Sequence, residues 1–165
     1  MKSKWLWALL GVLAVVGVYA GTVFATPPSG QSTTTLAKAP FDQLKIKAQS
    51  DPANLWRVKL KTHGTSDFYV IDNTFAANGG TSGWHSHPGP SLIFVVSGTI
   101  TNYMSDGHHC MQQDYTAGQG FVDEGGDHVH MIKNNASAAA RTIVVQFLPA
   151  GATRRIDADQ PANCG

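Results

Sequence analysis

Charge is scarce in this sequence. Asp, Glu, Lys and Arg make up only 14% of the 165 residues, and the net charge is +1 with histidine neutral. No stripe of Lys and Arg is available to neutralise a phosphate backbone, which excludes nucleic acid as the partner. Helical periodicity is missing too. No stretch repeats apolar residues on one helical face over a normal helix length, so the crossover helices of a parallel α/β sheet are excluded. There is no internal repeat. Cysteine is limited to Cys110 and Cys164, and neither has the CxxC spacing of a redox or zinc motif.

What is plentiful is glycine, with 17 residues, most of which punctuate short apolar runs. Residues 41–48 alternate around Leu44, Ile46 and Ala48 and suit an edge strand, with a short helix as the alternative. Residues 56–61 alternate apolar and basic. Residues 67–75 hold Phe68-Tyr69-Val70-Ile71 and read as a more buried strand. Residues 91–104 contain two β-rich runs broken at Ser97-Gly98, and residues 141–148 are the strongest strand of all. Turn-forming residues separate these runs roughly every eight to twelve positions, the spacing of a sandwich or barrel. The sequence therefore predicts an all-β fold.

The N-terminus is set apart from that fold. Lys2 and Lys4 precede an almost unbroken apolar stretch that ends at Val23-Phe24-Ala25. Residues 1–25 read as a hydrophobic helix, either a cleaved signal peptide or an uncleaved anchor, because about 20 apolar residues span a bilayer. The lysines lie on its N-terminal side, so both readings put the remainder outside the cytoplasm, secreted or anchored. The third reading, a buried core helix, lacks the polar face it would need. Residues 26–40 (TPPSGQSTTTLAKAP) have little to bury and read as a flexible linker. The folded domain is then expected over 41–165. An even cysteine count in an exported chain favours a Cys110–Cys164 disulfide pinning the tail to the domain.

Histidine carries the chemistry. His85 and His87 lie two apart, so on a strand both imidazoles face one side. His128 and His130 repeat that spacing after the Gly125-Gly126 turn. Neutral imidazoles bind borderline divalent ions. In Gly79, five residues, His85-Ser86-His87, three residues, Ser91, six residues, Gly98, the spacing resembles the first motif of the cupin superfamily. His130 and Asn134 resemble the end of its second. The sequence departs from the family at Ser91, where the family has a glutamate ligand, and at Gly125-Gly126-Asp127, where it has Pro-x-Gly.

The resemblance implies a cupin-like double-stranded β-helix, or jelly-roll, barrel. It also implies an open site of His85, His87 and His130 for one divalent ion, Fe, Mn, Zn or Ni. Water or Glu124 is the candidate to complete the sphere. His128 reads as a donor behind a ligand, a substrate contact or a plain loop residue. His108 and His109 read as exposed hairpin residues. Trp84, Tyr103 and Gln146 are candidates to line a pocket or simply to pack, and Asn134 to hold a turn. No catalytic residue is assigned. The expected function is an exported metal-dependent oxygenase or other small-molecule enzyme. The alternatives are a non-catalytic module binding metal or small ligand, and a barrel that the metal only stabilises. Membrane contact is expected only through the N-terminal segment. The edge near 41–48 would permit two copies to pair.

Overall fold

The computed structural model describes residues 25–50, 52 and 55–164. The hydrophobic helix expected over residues 1–25 lies outside the described residues apart from Ala25. Among the described residues, no helix is long and apolar enough to cross a membrane.

The chain runs through β1 (Gln31–Phe41), β2 (Lys45–Gln49), β3 (Arg57–Lys61), β4 (Ser66–Phe75), β5 (His85–Ser86), β6 (Ser91–Ser97) and β7 (Thr99–Ser105). It continues through β8 (Cys110–Thr116), β9 (Gly120–Asp123), β10 (His130–Lys133), β11 (Ala140–Pro149) and β12 (Ile156–Asp157) to one short 3₁₀ turn. Two five-stranded sheets, ordered β1-β4-β11-β6-β9 and β12-β5-β10-β7-β8, form the body, and β2-β3 is a separate hairpin. All pairings are antiparallel. The all-β expectation therefore holds, as do the strands read at 67–75, on both sides of Ser97-Gly98, and at 141–148.

Alternation sets the two faces of each strand. On β11, Ala140, Thr142, Val144, Gln146 and Leu148 are buried, and their neighbours are more open. On β6, Ser91, Ile93 and Val95 are the buried set. These stripes change character along their length. At one end Phe75, Val95, Ile100, Ile132 and Ala140 form an apolar cluster, with Tyr115 and Phe121 packed against it. Ile71, Ile93 and Val144 form the next layer. Beyond them the inward positions turn polar, with Ser91 on β6, Gln146 on β11 and His130 on β10. Each large apolar side chain so buried contributes about 1.5–3 kcal/mol, so the apolar end carries the hydrophobic stabilisation.

Two sequence expectations need correction. The segment expected to be a linker, residues 26–40, is mostly strand: β1 pairs with β4 from Gln31↔Phe75 to Phe41↔Ser66. Its side chains are largely exposed, so it gives no apolar signal. Backbone pairing to an otherwise open sheet edge, helped by the β-branched run Thr33-Thr34-Thr35, is what orders it. Residues 41–48, expected as one edge strand, instead straddle the end of β1 and the start of β2. The β2 strand pairs with β3 in the outlying hairpin.

The C-terminal tail folds back over the polar end. There β12 pairs with β5, matching Ile156 with Ser86 and Asp157 with His85. A Cys110–Cys164 disulfide ties the tail to the start of β8. Ser105 Oγ donates to Asn163 Oδ1 at 2.9 Å beside it.

Candidate metal centre

His85 lies on β5 and His130 on β10, and the two are register partners across the sheet. His87 follows immediately after β5. All three are buried, and one ring nitrogen from each lies within 4.8 Å of the other two. Their ring centroids are 4.5, 4.7 and 5.5 Å apart. The sequence expectation that these histidines share a point is met.

The orientation of each ring is fixed from behind. His85 Nδ1 is 2.8 Å from the Gly83 carbonyl, and His87 Nδ1 is 2.7 Å from the Arg154 carbonyl. His130 Nδ1 is 3.4 Å from Asn102 Oδ1. An oxygen of this kind only accepts, so each Nδ1 carries the proton and each Nε2 keeps its lone pair. That is the tautomer a metal ion needs, and the arrangement of partners is the one that holds metal-ligating histidines. Glycine makes this local geometry possible. Gly83 has φ +66°, and a Cβ there would run into the Thr26 backbone. Gly125, with φ +73°, packs against the Gly89 backbone just as closely.

Burial keeps the imidazoles neutral. It pushes His87 and His130 down to about 4, and the positive charge of Arg155 adds to the effect at His130. His85 is lowered further by burial and by its two histidine neighbours. At neutral pH the trio therefore offers lone pairs rather than protons.

A residue that the sequence reading missed stands beside the trio. Asp123, at the end of β9, is only 4% exposed. Its Oδ2 lies 3.7 Å from His130 Nε2 and 3.9 Å from His87 Nε2. Burial pushes its pKa up, against the opposing pull of the Gly125 amide. Reading 120–123 as a strand would put Phe121 and Asp123 on its inward face, but the β9–β6 pairing that brings Asp123 to the histidines has no local signature. Glu124, the carboxylate weighed from the sequence, points away, with its side chain 79% exposed and 3.9 Å from the exposed His128.

The trio forms part of the wall of a cavity of about 310 Å³. Ile71, Ile93 and Val144 form its apolar floor, and Gln31 and Thr33 of the unexpected strand β1 add a polar wall. Ser91 and Gln146 line it as well, with Gln146 Nε2 donating to Ser91 Oγ at 3.0 Å. Arg154 and Arg155 line the side formed by the tail. Arg155 is paired with Asp157 through Nε at 2.6 Å, but its buried Nη2 has no partner. Arg154 is half-buried, which works against its charge, and has no carboxylate partner among the described residues. The sequence around these arginines gave no sign of the site; only the paired cysteines hinted that the tail returns to the domain.

The remaining candidates fall outside the trio. His108 and His109 sit in an exposed turn where their amides donate to Asp106 Oδ1. Trp84 is buried and is not a cavity-lining residue. Tyr103 Oη accepts from Asn135 Nδ2 at 2.9 Å. Asn134 Nδ2 donates to the Phe75, Ala76 and Ala138 carbonyls, so it holds a turn as expected.

Residues 74–146 match the family model described as a cupin domain. No curated protein matches the sequence. Among solved structures, the polyketide cyclase RemF from Streptomyces resistomycificus aligns with 86% of this chain and 82% of its own, at 14% identity and a TM-score of 0.51. The Cupin_2 domain of an XRE family transcriptional regulator from Enterobacter cloacae aligns over 72% of this chain and 96% of its own, at 16% identity and a TM-score of 0.44. An oxalate decarboxylase variant from B. subtilis covers 59% of this chain and 29% of its own, at 11% identity and a TM-score of 0.48.

Proposed function

We propose that this chain is a member of the cupin superfamily, whose domain model residues 74–146 match, and that His85, His87 and His130 hold one divalent metal ion, which faces a small-molecule cavity. The observation that carries this reading is the convergence of three buried imidazoles whose Nδ1 atoms are all occupied from behind. Three neutral nitrogen donors suit Fe, Mn, Zn or Ni and leave coordination positions open. The unpartnered, buried Nε2 of His130 supports it too, since an orphaned buried lone pair is costly unless something occupies it. Such an ion supplies Lewis acidity and, if it is a redox metal, electron exchange with O₂.

The chain's own residues define what can enter. The apolar floor and the volume fit a small molecule. Arg154, without a carboxylate partner among the described residues, and the free Nη2 of Arg155 favour one that carries a negative charge. Gln146 and Ser91 would orient it by hydrogen bonds. The leading reading is therefore an exported metal-dependent enzyme acting on a small anionic molecule, an oxygenase if the metal is iron. Export is supported by the apolar N-terminus behind Lys2 and Lys4 and by the Cys110–Cys164 disulfide, which belongs in an oxidising compartment.

A second reading, a binding module without catalysis, is favoured by one observation. Apart from the three histidines, the residues lining the cavity include no Asp, Glu, Lys or Tyr that could move a proton.

Metal content of the exported, purified protein tests the metal reading. Wild type should carry roughly one ion per chain, and His85→Ala and His130→Ala should carry almost none. Equal content in all three would overturn it. Small carboxylic acids offered to the metal-loaded protein then separate enzyme from binder. Product formation marks the first, and retention of the unchanged acid marks the second.

A further inference from the structure

Where the family places a glutamate ligand, this chain has Ser91, whose hydroxyl accepts from Gln146. On the neighbouring strand β9, the register partner of Ser91 is Asp123. We infer that Asp123 is a fourth ligand of the metal ion, binding through Oδ2. The inference rests on the three-histidine reading and extends it.

The geometry supports it at three points. First, Asp123 Oδ2 and His130 Nε2 are both buried without a hydrogen-bond partner, yet they face one another at 3.7 Å. That is too long for a hydrogen bond. It suits two donors on one ion, because atoms about 2.0–2.2 Å from a common centre lie roughly 3 to 4 Å apart. The 3.9 Å to His87 Nε2 falls in the same range. His85 lies farther off, since the ligand atoms within 4.8 Å of one another are those of the three histidines alone, so a bound ion would draw Asp123 toward the trio. Second, the other carboxylate oxygen is already engaged. The Gly125 amide donates to Oδ1 at 3.1 Å, fixing the side chain so that Oδ2 points at the histidines. Third, one amide is a thin environment for a buried carboxylate. An ionised acid at 4% exposure needs a cation, and no Lys or Arg is within ion-pair distance of it among the described residues. A divalent ion at the trio would meet that need and leave a net single positive charge facing the cavity.

Titration of the metal-free full chain with Co(II) tests this, read as affinity by chelator competition and as the visible ligand-field spectrum. Asp123→Asn keeps the shape of the side chain and removes the anionic donor. It should weaken Co(II) binding by about tenfold or more and shift the spectrum, while His130→Ala abolishes binding. If Asp123→Asn keeps the wild-type affinity and spectrum while His130→Ala loses the metal, the fourth-ligand assignment is overturned and the three-histidine reading stands. If neither variant changes binding, both are overturned. Should Asp123→Asn fail to fold, the wild-type chain decides: Zn(II) should move the carboxyl carbon NMR resonance of a buried aspartate, and aspartate resonances unmoved by Zn(II) overturn the assignment.

Discussion

The two ends of this barrel are equally buried and built on opposite principles. Along β10, His130 and Ile132 face the same interior two residues apart, at 3% and 5% exposure. Ile132 enters a closed apolar cluster with Phe75 and Ile100. His130 enters a group of polar atoms, several of which have no partner. The apolar end is held by packing, which needs no geometry beyond fit. The polar end leaves Asp123 Oδ2, His130 Nε2 and Gln146 Oε1 unsatisfied. The apolar end buries one such atom as well, Thr142 Oγ1, so the cost of unpartnered polar groups falls mainly on the end where the histidines stand. A covalent tie and a tail strand are laid across that end.

The largest expected effects break this division one end at a time. The disulfide closes a loop with a sequence separation of 54. Replacing both cysteines by serine should cost about 4 kcal/mol on the chain-entropy estimate, measured by denaturant unfolding. It should also weaken metal retention, because the tail carries the Arg154 carbonyl that orients His87. Ile100→Ala at the other end should cost about 3 kcal/mol in stability, with metal affinity unchanged. If Ile100→Ala reduced metal affinity as much as it reduced stability, the two ends would be one cooperative unit and the contrast would fail.

The same contrast explains what could be read from the sequence. Apolar alternation in 67–75, 91–104 and 141–148 is the signature of the packed end, and those strands were legible. His85 and His87 were legible because their spacing brings both rings to one site. The same spacing misled for His128, which precedes β10 and is exposed, while His130 is buried. The rest depends on pairing between distant segments. β1 is ordered by backbone hydrogen bonds and leaves its side chains in solvent, so no hydrophobic period marks it. Asp123 reaches the trio because β9 lies beside β6, a register that no local pattern states. Arg154 and Arg155 come to the cavity only because the tail returns, and the two cysteines were the sole sign that it would.

Acid should separate the two ends next. In the metal-free protein, burial pushes His87 and His130 down to about 4, below the roughly 6.5 of an unfolded chain. Between these values the unfolded state binds more protons, so stability is full above about pH 6.5 and falls as the pH drops toward 4. Asp123 works in the opposite sense. Its raised pKa lets the folded form take a proton first, which offsets part of the loss. The melting temperature of the metal-free protein should therefore decline across this window. In His87→Ala/His130→Ala the decline should be shallower. A wild-type melting temperature flat from about pH 7 to pH 4 would mean that these rings titrate as free imidazoles.

A smaller effect should mark the open side of the polar end. Arg154→Ala should leave metal content unchanged, because the Arg154 group that holds His87 is the backbone carbonyl. It should weaken binding of a small carboxylate to the metal-loaded protein by about tenfold, the scale of one charge-assisted hydrogen bond. Isothermal titration with acetate measures this. Equal affinity in wild type and variant would place the anion elsewhere.

The smallest effect is expected from the residue next to the one that matters most. Asp123 and Glu124 are consecutive acids: Asp123 ends β9 facing inward, and Glu124 is the first residue of the turn beyond it, open to solvent. Glu124 meets only the exposed His128, at 3.9 Å, and such open pairs contribute about 0–1 kcal/mol. Glu124→Gln should therefore leave Co(II) affinity within about twofold of wild type, in line with the small effect of most surface substitutions. If Glu124→Gln weakened the metal as much as Asp123→Asn, the effect would come from the charge of the turn as a whole. An effect of Asp123→Asn alone would mean that a single buried oxygen is responsible, because the two substitutions remove the same charge from adjacent positions.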